Sequence, residues 1–312
     1  MIRLAVAALL LVCGSAAAWA QPVDDLERDD SEALSVAWRL QLGNARYCPH
    51  VARQTGIQLE NTAVYADPAL VRSTYGLTSD IYIGALAADA PGAKAGLSVN
   101  TTVIAIDGQL LSELRTPKRN DPFTRWHLAQ AMLDDAAARD GAVDLTLARP
   151  GAAPHVVHIA AVSACKVTVK VDDQQSYASA NREEIRLGRH YIDAAHHDPQ
   201  LIAALIAHEM SHTVLDHQSQ LEASHMAGGT VRRTEHEADR LSVWLLANAG
   251  YPPQAALDLQ SKVISQLVGP FSIDLTHGGW HSRAARIDRE ITTLKAAPDA
   301  DWPKRFVREP AT

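Results

Sequence analysis

The sequence predicts an α+β protein with a strand-rich middle tract and a mainly helical C-terminal half. Between about residues 75 and 162, short runs of β-branched and aliphatic residues are separated by Gly, Pro and Asp turns, which is typical of strands. After residue 198, apolar residues recur every three or four positions, which is typical of packed helices. The chain has 312 residues, enough for two domains that each bury a core.

Residues 1–20 have the three parts of a secretory signal peptide. Arg3 gives a positive start, an apolar run from Leu4 to Val12 follows, and Ala18-Trp19-Ala20 forms an A-x-A cleavage site. The apolar run is too short for a transmembrane helix, so the mature chain is expected to be periplasmic or secreted after cleavage near Ala20. Cys13 as a lipid-attachment site is disfavoured because a bulky valine precedes it.

Removal of this segment leaves two cysteines, Cys48 and Cys165. Because an exported chain folds in an oxidising compartment, we predict that they form a disulfide, with two buried free thiols as the alternative. The net charge of −7 and the lack of basic runs argue against nucleic acid or an anionic membrane as a partner.

The elements before residue 163 can be assigned in chain order. Residues 23–60 open acidic and then become helical in pattern. Residues 81–86 predict a strand, residues 89–97 a short helix between two turns, and residues 103–106 a second strand that ends at the hairpin dipeptide Asp107-Gly108. A helix over 125–139 and strands over 143–147 and 156–162 follow.

This order resembles that of a PDZ domain. Residues 90–97, APGAKAGL, and residues 103–108, VIAIDG, are similar to two segments of the PDZ modules of bacterial exported proteases. The resemblance implies a groove in which a C-terminal peptide adds a strand to the sheet edge beside the second helix. Tyr75, Gly76 and Leu77 would then form the carboxylate-binding loop and His127 would line the groove; ordinary turn and core packing is the alternative.

The C-terminal half begins with a further set of short strands. Val167, Val169 and Val171 alternate as a strand, and residues 177–181 and 184–187 suggest a hairpin. We expect 184–187 to be an edge strand that could pair with an extended substrate.

The most informative motif is His208-Glu209-Met210-Ser211-His212. Upstream, Asp198 and Pro199 predict the N-cap and first residue of a helix that carries it. Histidines four apart lie on one helix face, with Cβ atoms about 5–6 Å apart, so both can bind one zinc ion. Glu209 would then lie beside the metal, where it can take a proton from the attacking water. A chance match is the alternative, which the helical context disfavours.

A catalytic zinc needs a third protein ligand. The extended three-histidine pattern is excluded, because Leu215 and Gln218 stand at its glycine and third-histidine positions. On a continuous helix His217 would be rotated away from His212, so we interpret it as a surface residue or as an indirect support of the site.

Glu235 and Asp239 are the better source of the missing ligand. They lie four apart at the predicted start of a second helix that runs to about Asn248, so one carboxylate can bind zinc while the other accepts from a ligand imidazole. Stabilisation of the helix dipole by acidic residues in its first turn is the alternative. Residues 218–231, between the two helices, are expected to form a loop that could gate the site.

Together these motifs resemble the zinc metallopeptidases of the HtpX, Oma and CAAX prenyl protease type, peptidase family M forty-eight. Residues 208–212, 235–241 and 249–253 carry the resemblance. It implies a mainly helical gluzincin-type domain with a small sheet, in which His208, His212 and Glu235 bind one zinc ion. Glu209 would be the general base, and Asp239 would support a ligand imidazole.

The family often has a further histidine near the C-terminus, followed by Arg-Ile. Here Arg286-Ile287 fits that pattern, whereas His281 is one residue too close and lacks the proline that should follow it. We predict His281, rather than the more distant His277, as the oxyanion-stabilising residue and Arg286 as a structural or oxyanion-side partner. A histidine that occupies the open zinc position and holds the enzyme latent is the alternative.

The predicted organisation is a signal peptide (1–20), an N-terminal helical segment (21–72), a PDZ-like domain (73–163) and a zinc peptidase domain (164–312). We expect a zinc-dependent endopeptidase that cleaves misfolded or regulatory proteins of the cell envelope. The PDZ-like domain would control access. The alternative is a PDZ-centred adaptor or chaperone with a latent or structural zinc site.

Overall fold

The computed structural model describes residues 17–116, 121–268, 279–296, 301 and 305–309. Within this part of the chain the protein has an α+β fold, as the sequence predicts, with three separate β-sheets. Most of the predicted signal peptide, including Cys13, lies outside the described residues. No helix in the described ranges is long and apolar enough to cross a membrane.

The helices alternate with strands in the first half of the chain and follow one another in the second half. They are α1 (Ala17–Gly43), α2 (Pro68–Tyr75), α3 (Pro91–Lys94), α4 (Pro122–Asp140), α5 (Arg189–Ala194), α6 (Pro199–Val214), α7 (His217–Ala223), α8 (Gly228–Asn248), α9 (Gln254–Leu259), α10 (Ser265–Val268) and α11 (Trp280–Ala296). A π-helical turn over Gln260–Ile264 joins α9 to α10.

The strands are short and belong mostly to the first two thirds of the chain. They are β1 (Val51–Gln54), β2 (Ile57–Asn61), β3 (Ile81–Leu86), β4 (Thr101–Ile106), β5 (Gln109–Leu110), β6 (Ala142–Ala148), β7 (His155–Ala160), β8 (Val162–Cys165), β9 (Thr168–Asp172), β10 (Ser179–Ala180) and β11 (Glu184–Gly188).

The largest sheet has the order β2-β3-β4-β6-β7, with all its pairs antiparallel and β5 paired to β4. The predicted hairpin forms between β4 and β5. Asp107 and Gly108 both have positive φ, 47° and 77°, as a two-residue hairpin turn requires. The sheet includes β2, which precedes residue 73 in the sequence, and the domain boundaries stay predictions.

Helix α4 closes the β2 edge of this sheet with side chains. Gln130 accepts a hydrogen bond from Leu59 N and donates to Ile57 O, and the Trp126 indole N–H donates to Leu59 O. Backbone groups that could pair with a further strand are therefore already bonded, which matters for any peptide that would use this edge.

The predicted Cys48–Cys165 disulfide is present, with Cα atoms 5.6 Å apart. It lies next to the antiparallel ladder of β1 and β8, in which Val51 is opposite Cys165. The presence of this disulfide suggests that the chain folds in an oxidising compartment.

The third sheet lies beside the C-terminal helices, with β11 in the middle, parallel to β9 and antiparallel to β10. The edge strand is therefore β10, and the prediction of residues 184–187 as the edge is wrong. The short hairpin from residue 179 to residue 188 puts β11 inside the sheet and leaves β10 facing outward.

Helix α1 connects the two cores of the molecule. Ala33, Ala37 and Leu40 pack into the C-terminal core, which also contains the buried faces of α6 and α8. Trp38 and Leu34 pack against alanines at the end of β3 and after it. The predicted N-terminal helical segment thus holds the strand-rich and helical parts together.

Two predictions for the region between α6, which carries His208 and His212, and α8, which carries Glu235, are wrong. Residues 218–231 are mostly helical, because α7 ends at Ala223 and α8 already begins at Gly228. Glu235 and Asp239 consequently lie in the second and third turns of α8, so stabilisation of a helix N-terminus does not explain them. The Gly228-Gly229 pair, a strong loop signal in sequence, is instead at the first turn of the helix.

Candidate metal centre

Helix α6 positions the two motif histidines. Asp198 caps the helix by accepting from Gln200 N, Pro199 is its first residue, and almost every later residue up to Ser211 is buried. His208 and His212 lie one turn apart, and their Nε2 atoms are 3.4 Å from each other. Both histidines therefore direct the same ring nitrogen to one point.

Glu235 on α8 completes this group. Its Oε2 lies 3.4 Å from His208 Nε2 and its Oε1 lies 3.5 Å from His212 Nε2. A tetrahedral zinc ion with bonds of about 2.0–2.1 Å requires ligand atoms about 3.3–3.4 Å apart. The three separations match this requirement, so the His208–His212–Glu235 group could hold a metal ion.

The charges around this point are strongly coupled. Burial disfavours the charged form of His208, but hydrogen bonds to Asp239 and Glu235 outweigh it and raise the pKa of His208 to about 10. Burial lowers the pKa of His212 to about 3. Burial opposes ionisation of Glu235, yet both histidines and Arg283 keep the pKa of Glu235 well below its usual range. The two carboxylates thus favour positive charge at the centre of the group.

His208 is supported from behind by a buried ion pair. Its Nδ1 lies 3.2 Å from Asp239 Oδ1, and Arg283 of α11 donates two hydrogen bonds to the Asp239 carboxylate, at 2.8 and 2.7 Å. Burial opposes ionisation of Asp239, but Arg283 and His208 outweigh it and lower the pKa of Asp239 to about 2. Asp239 therefore contacts the His208 imidazole on the side away from Glu235, while its predicted role in supporting a metal ligand stays a prediction.

Glu209 lies beside the ligand group in a cavity of about 730 Å³. The cavity also has a large apolar wall. Its aliphatic and aromatic lining includes Tyr191, Leu205, Val231, Leu259, Ile264 and Trp280. On another side it is lined by residues 177–180, which include the edge strand β10. The arrangement puts the Glu209 carboxylate, the three possible metal ligands and the strand β10 around one space.

The C-terminal helix contributes a different residue from those predicted. His281 is exposed and stacks on Trp280, and Arg286 donates to the Ser282 carbonyl and hydroxyl oxygens. Arg283, one turn before Arg286, is the arginine that reaches Asp239 and lines the cavity. Sequence reasoning missed it because the family spacing pointed to the later arginine, and the contact of Arg283 with Asp239 depends on how α11 packs against α8. The roles of His281 and Arg286 stay predictions.

The predicted groove residues of the PDZ-like segment lie on different elements. Tyr75 ends α2, Gly76 is its left-handed C-cap with φ 65°, and Leu77 is buried just after it. His127 lies on α4, where it stacks on Trp126 next to the capped β2 edge. The helix that corresponds to the second helix of a PDZ domain is α4, and the sheet edge beside it is β2. Residues 75–77 lie between α2 and β3, at the end of a different helix.

A second set of possible ligands contains Asp29, Glu32 and His197. Here Asp29 is already paired with Arg189 and Arg28, at 2.8 and 3.1 Å, and His197 lies 2.7 Å from Glu32. These ion pairs account for the cluster, and they tie α1 to α5 and to the turn before α6.

Comparison of the chain with protein-family models, with curated proteins and with solved structures gives no match. The motifs and the geometry of the His208–His212–Glu235 group are therefore the features from which a function can be inferred.

Proposed function

We propose that this chain is a zinc-dependent endopeptidase of the type found in the HtpX, Oma and CAAX prenyl protease family, acting on exported proteins. The observation that carries the proposal is the His208–His212–Glu235 group, whose ligand atoms lie 3.4–3.5 Å apart next to Glu209 in an open cavity. Two imidazoles and one carboxylate form a donor set that zinc peptidases use.

The number of ligands supports a catalytic rather than a structural metal. Structural zinc sites are closed by four protein ligands, whereas catalytic sites have three and leave a position for water or substrate. Among the residues that the structure describes, the group offers three ligands, and the cavity lies directly beside them. This weighs against the alternative of an adaptor or chaperone with a structural zinc.

In the proposed reaction, a bound zinc ion supplies Lewis acidity, which polarises a carbonyl and makes water a nucleophile near neutral pH. Glu209 takes the proton of the attacking water and passes it to the leaving amine. Asp239 keeps the His208 ring oriented, and Arg283 keeps Asp239 ionised. The Arg283 guanidinium also lines the cavity, where it adds positive charge near the reacting carbonyl.

Extended segments of unfolded proteins are the substrates that fit this cavity. The edge strand β10 can pair with an extended chain by backbone hydrogen bonds, and the apolar wall can take a large aliphatic or aromatic side chain beside the scissile bond. The disulfide is consistent with a site of action in the periplasm or outside the cell.

Control by the PDZ-like segment remains part of the proposal. A peptide that adds to the β2 edge has to displace Trp126 and Gln130 from the backbone of that strand. Binding of a C-terminal peptide would therefore be coupled to a movement of α4. Stimulation of proteolysis by such peptides would distinguish regulated from constitutive cleavage.

The test is the Glu209→Gln variant assayed against unfolded casein. Glutamine has nearly the same shape but cannot accept the proton, so we expect normal zinc content and a loss of turnover of at least about 100-fold. Glu183→Gln makes the same change at an exposed carboxylate and should cleave at the wild-type rate.

Cleavage by Glu209→Gln at the wild-type rate would contradict the mechanism. Zinc uptake without any cleavage by the wild-type chain, even of fully unfolded substrates, would favour the adaptor. A proteomic comparison of wild type and Glu209→Gln in the cell envelope would then identify the natural substrates, which accumulate in the variant.

A further inference from the structure

A buried histidine lies directly behind the second metal ligand. His217 is fully buried, and its Nδ1 is 3.0 Å from His212 Nδ1. Its other ring nitrogen, Nε2, is 3.0 Å from Oε2 of Glu237, which is also fully buried. His212, His217 and Glu237 therefore form one continuous line of hydrogen bonds.

A break in the helix creates this contact. Helix α6 ends at Val214, Asp216 adopts a left-handed conformation with φ 50°, and α7 begins at His217. On a continuous helix His217 would point away from His212, but the turn at Asp216 reverses the chain and brings the two rings together, with centroids 4.9 Å apart. A non-glycine residue in this conformation is uncommon.

The direction of the hydrogen bonds follows from metal binding through His212 Nε2. A neutral ligand histidine then carries its proton on Nδ1 and donates it to His217 Nδ1. His217 must in turn carry its proton on Nε2, and it donates that proton to the Glu237 carboxylate. Each of the two histidines thus has the tautomer that its neighbours require. The hydrogen bonds from His212 to His217 and from His217 to Glu237 therefore fix the orientation of the His212 ring.

Glu237 is held by the C-terminal segment, residues 305–309. Arg308 Nε lies 2.8 Å from Glu237 Oε2, and the Glu309 backbone N–H donates to Glu237 Oε1 at 2.7 Å. The segment is anchored on α8, where Arg240 donates to Val307 O and lies over the Phe306 ring.

We propose that the C-terminal segment helps to position His212 for metal binding. Arg308 and Glu309 fix Glu237, Glu237 fixes His217, and His217 orients His212 for metal binding. His217 and Glu237 are thus positioning residues on the His212 side, as Asp239 and Arg283 are on the His208 side. The inference rests on the metal site of the proposed function and is independent of peptide hydrolysis.

The first test compares His217→Leu with His217→Gln by measuring Zn²⁺ affinity in competition with a chelator. Leucine fills the space but cannot accept from His212, so affinity should fall about 10–100-fold, the usual range for such supporting residues. Glutamine offers an acceptor to His212 and a donor to Glu237, so it should recover most of the loss. His155→Leu, on the exposed strand β7, should bind like wild type.

The second test asks whether the segment acts through His217. Arg308→Met should weaken Zn²⁺ binding in the wild-type background. In the His217→Leu background it should have little further effect on Zn²⁺ affinity, because the hydrogen bonds that connect Glu237 to His212 are already lost. Arg305→Met, an exposed arginine of the same segment, is the matched control. Thermal unfolding of each metal-free chain shows whether a variant is folded.

The outcomes separate this inference from the proposed function. Wild-type affinity in His217→Leu, an equal loss in His217→Gln, or additive losses for His217 and Arg308 would each overturn the inference while leaving the zinc site intact. A wild-type chain that binds no zinc at His208 and His212 would overturn both.

Discussion

Arg283 is the buried positive charge that balances the carboxylates of the metal centre. It donates twice to Asp239 and lies 3.9 Å from Glu235 Oε2. Burial opposes its charged form, but Asp239, Glu235 and Glu209 outweigh this and raise the pKa of Arg283. At the residue scale, the ion pairs of Arg283 with Asp239 and Glu235 therefore stabilise the charged forms of both carboxylates in the folded chain.

We predict that Arg283→Met lowers the free energy of unfolding of the metal-free chain by about 3–5 kcal/mol, because the buried Asp239 carboxylate loses both hydrogen bonds from the arginine. Urea denaturation at neutral pH measures this loss. Arg286→Met is the control one turn later; among the described residues its side chain bonds to Ser282 of the same helix, so it should change stability by less than about 0.5 kcal/mol. Equal losses in the two variants would show that Arg283 has no special role.

At the scale of elements, a cluster of acidic groups lies where α1, β2 and β9 meet. Burial raises the pKa of Glu60 to about 8, with Lys170 opposing the shift and Asp30 adding to it. Burial likewise raises the pKa of Asp30 to about 7. A carboxyl whose pKa is higher in the folded than in the unfolded chain binds its proton more tightly when folded. The contribution of these two carboxyls to stability is therefore greatest below about pH 4.5 and falls as the pH rises toward 8.

Glu60→Gln should remove this penalty, because glutamine resembles the protonated carboxyl in shape and charge. We expect the variant to be more stable than wild type by about 1–3 kcal/mol at pH 8 and by less than about 0.5 kcal/mol at pH 4.5. Denaturation curves at the two pH values measure the difference. Glu183→Gln, at an exposed carboxylate, should show no such pH dependence, and a Glu60→Gln effect that is equal at both pH values would refute the assignment.

Elements with strong local signals were predictable from sequence. Asp198 and Pro199 define the start of α6, and Asp107-Gly108 defines a hairpin, because each depends on the backbone preferences of a few adjacent residues. Glu235 and Asp239 were predictable as a pair for a similar reason, since residues four apart share a helix face.

Features that depend on tertiary contacts were not predictable. The left-handed turn at Asp216 occurs without a glycine, so the return of His217 to His212 has no signal in the sequence. Strand β2 was missed although Ile57 and Leu59 alternate with polar residues, because the run is short and directly follows a segment with a helical pattern. Its contact with α4, which follows about 60 residues later, is tertiary. Arg283 and Arg286 differ only in which of them faces Asp239, which the packing of α11 against α8 decides.

At the scale of the whole molecule, the Cys48–Cys165 disulfide closes a loop that contains the entire six-stranded sheet. The same sheet is held on α1, whose other face packs into the core of the metal centre. The disulfide therefore restrains how far the strand-rich part can separate from the helices in the unfolded chain.

Replacing both cysteines by alanine should lower the free energy of unfolding by about 2–5 kcal/mol, because a loop with a sequence separation of 117 is no longer closed in the unfolded chain. Urea denaturation of the variant, and of the wild type with and without reductant, measures this effect. Identical midpoints for the oxidised and reduced wild type would contradict it.

The most direct test of the account is a zinc titration of the metal-free wild type and of Glu209→Gln, with bound metal and casein cleavage measured on the same samples. We predict that both chains bind one zinc ion through His208, His212 and Glu235, and that only the wild type gains activity, which saturates at one equivalent. Activity that is independent of zinc, or that appears equally in Glu209→Gln, would contradict the assignment of this site as the catalytic centre of a zinc peptidase.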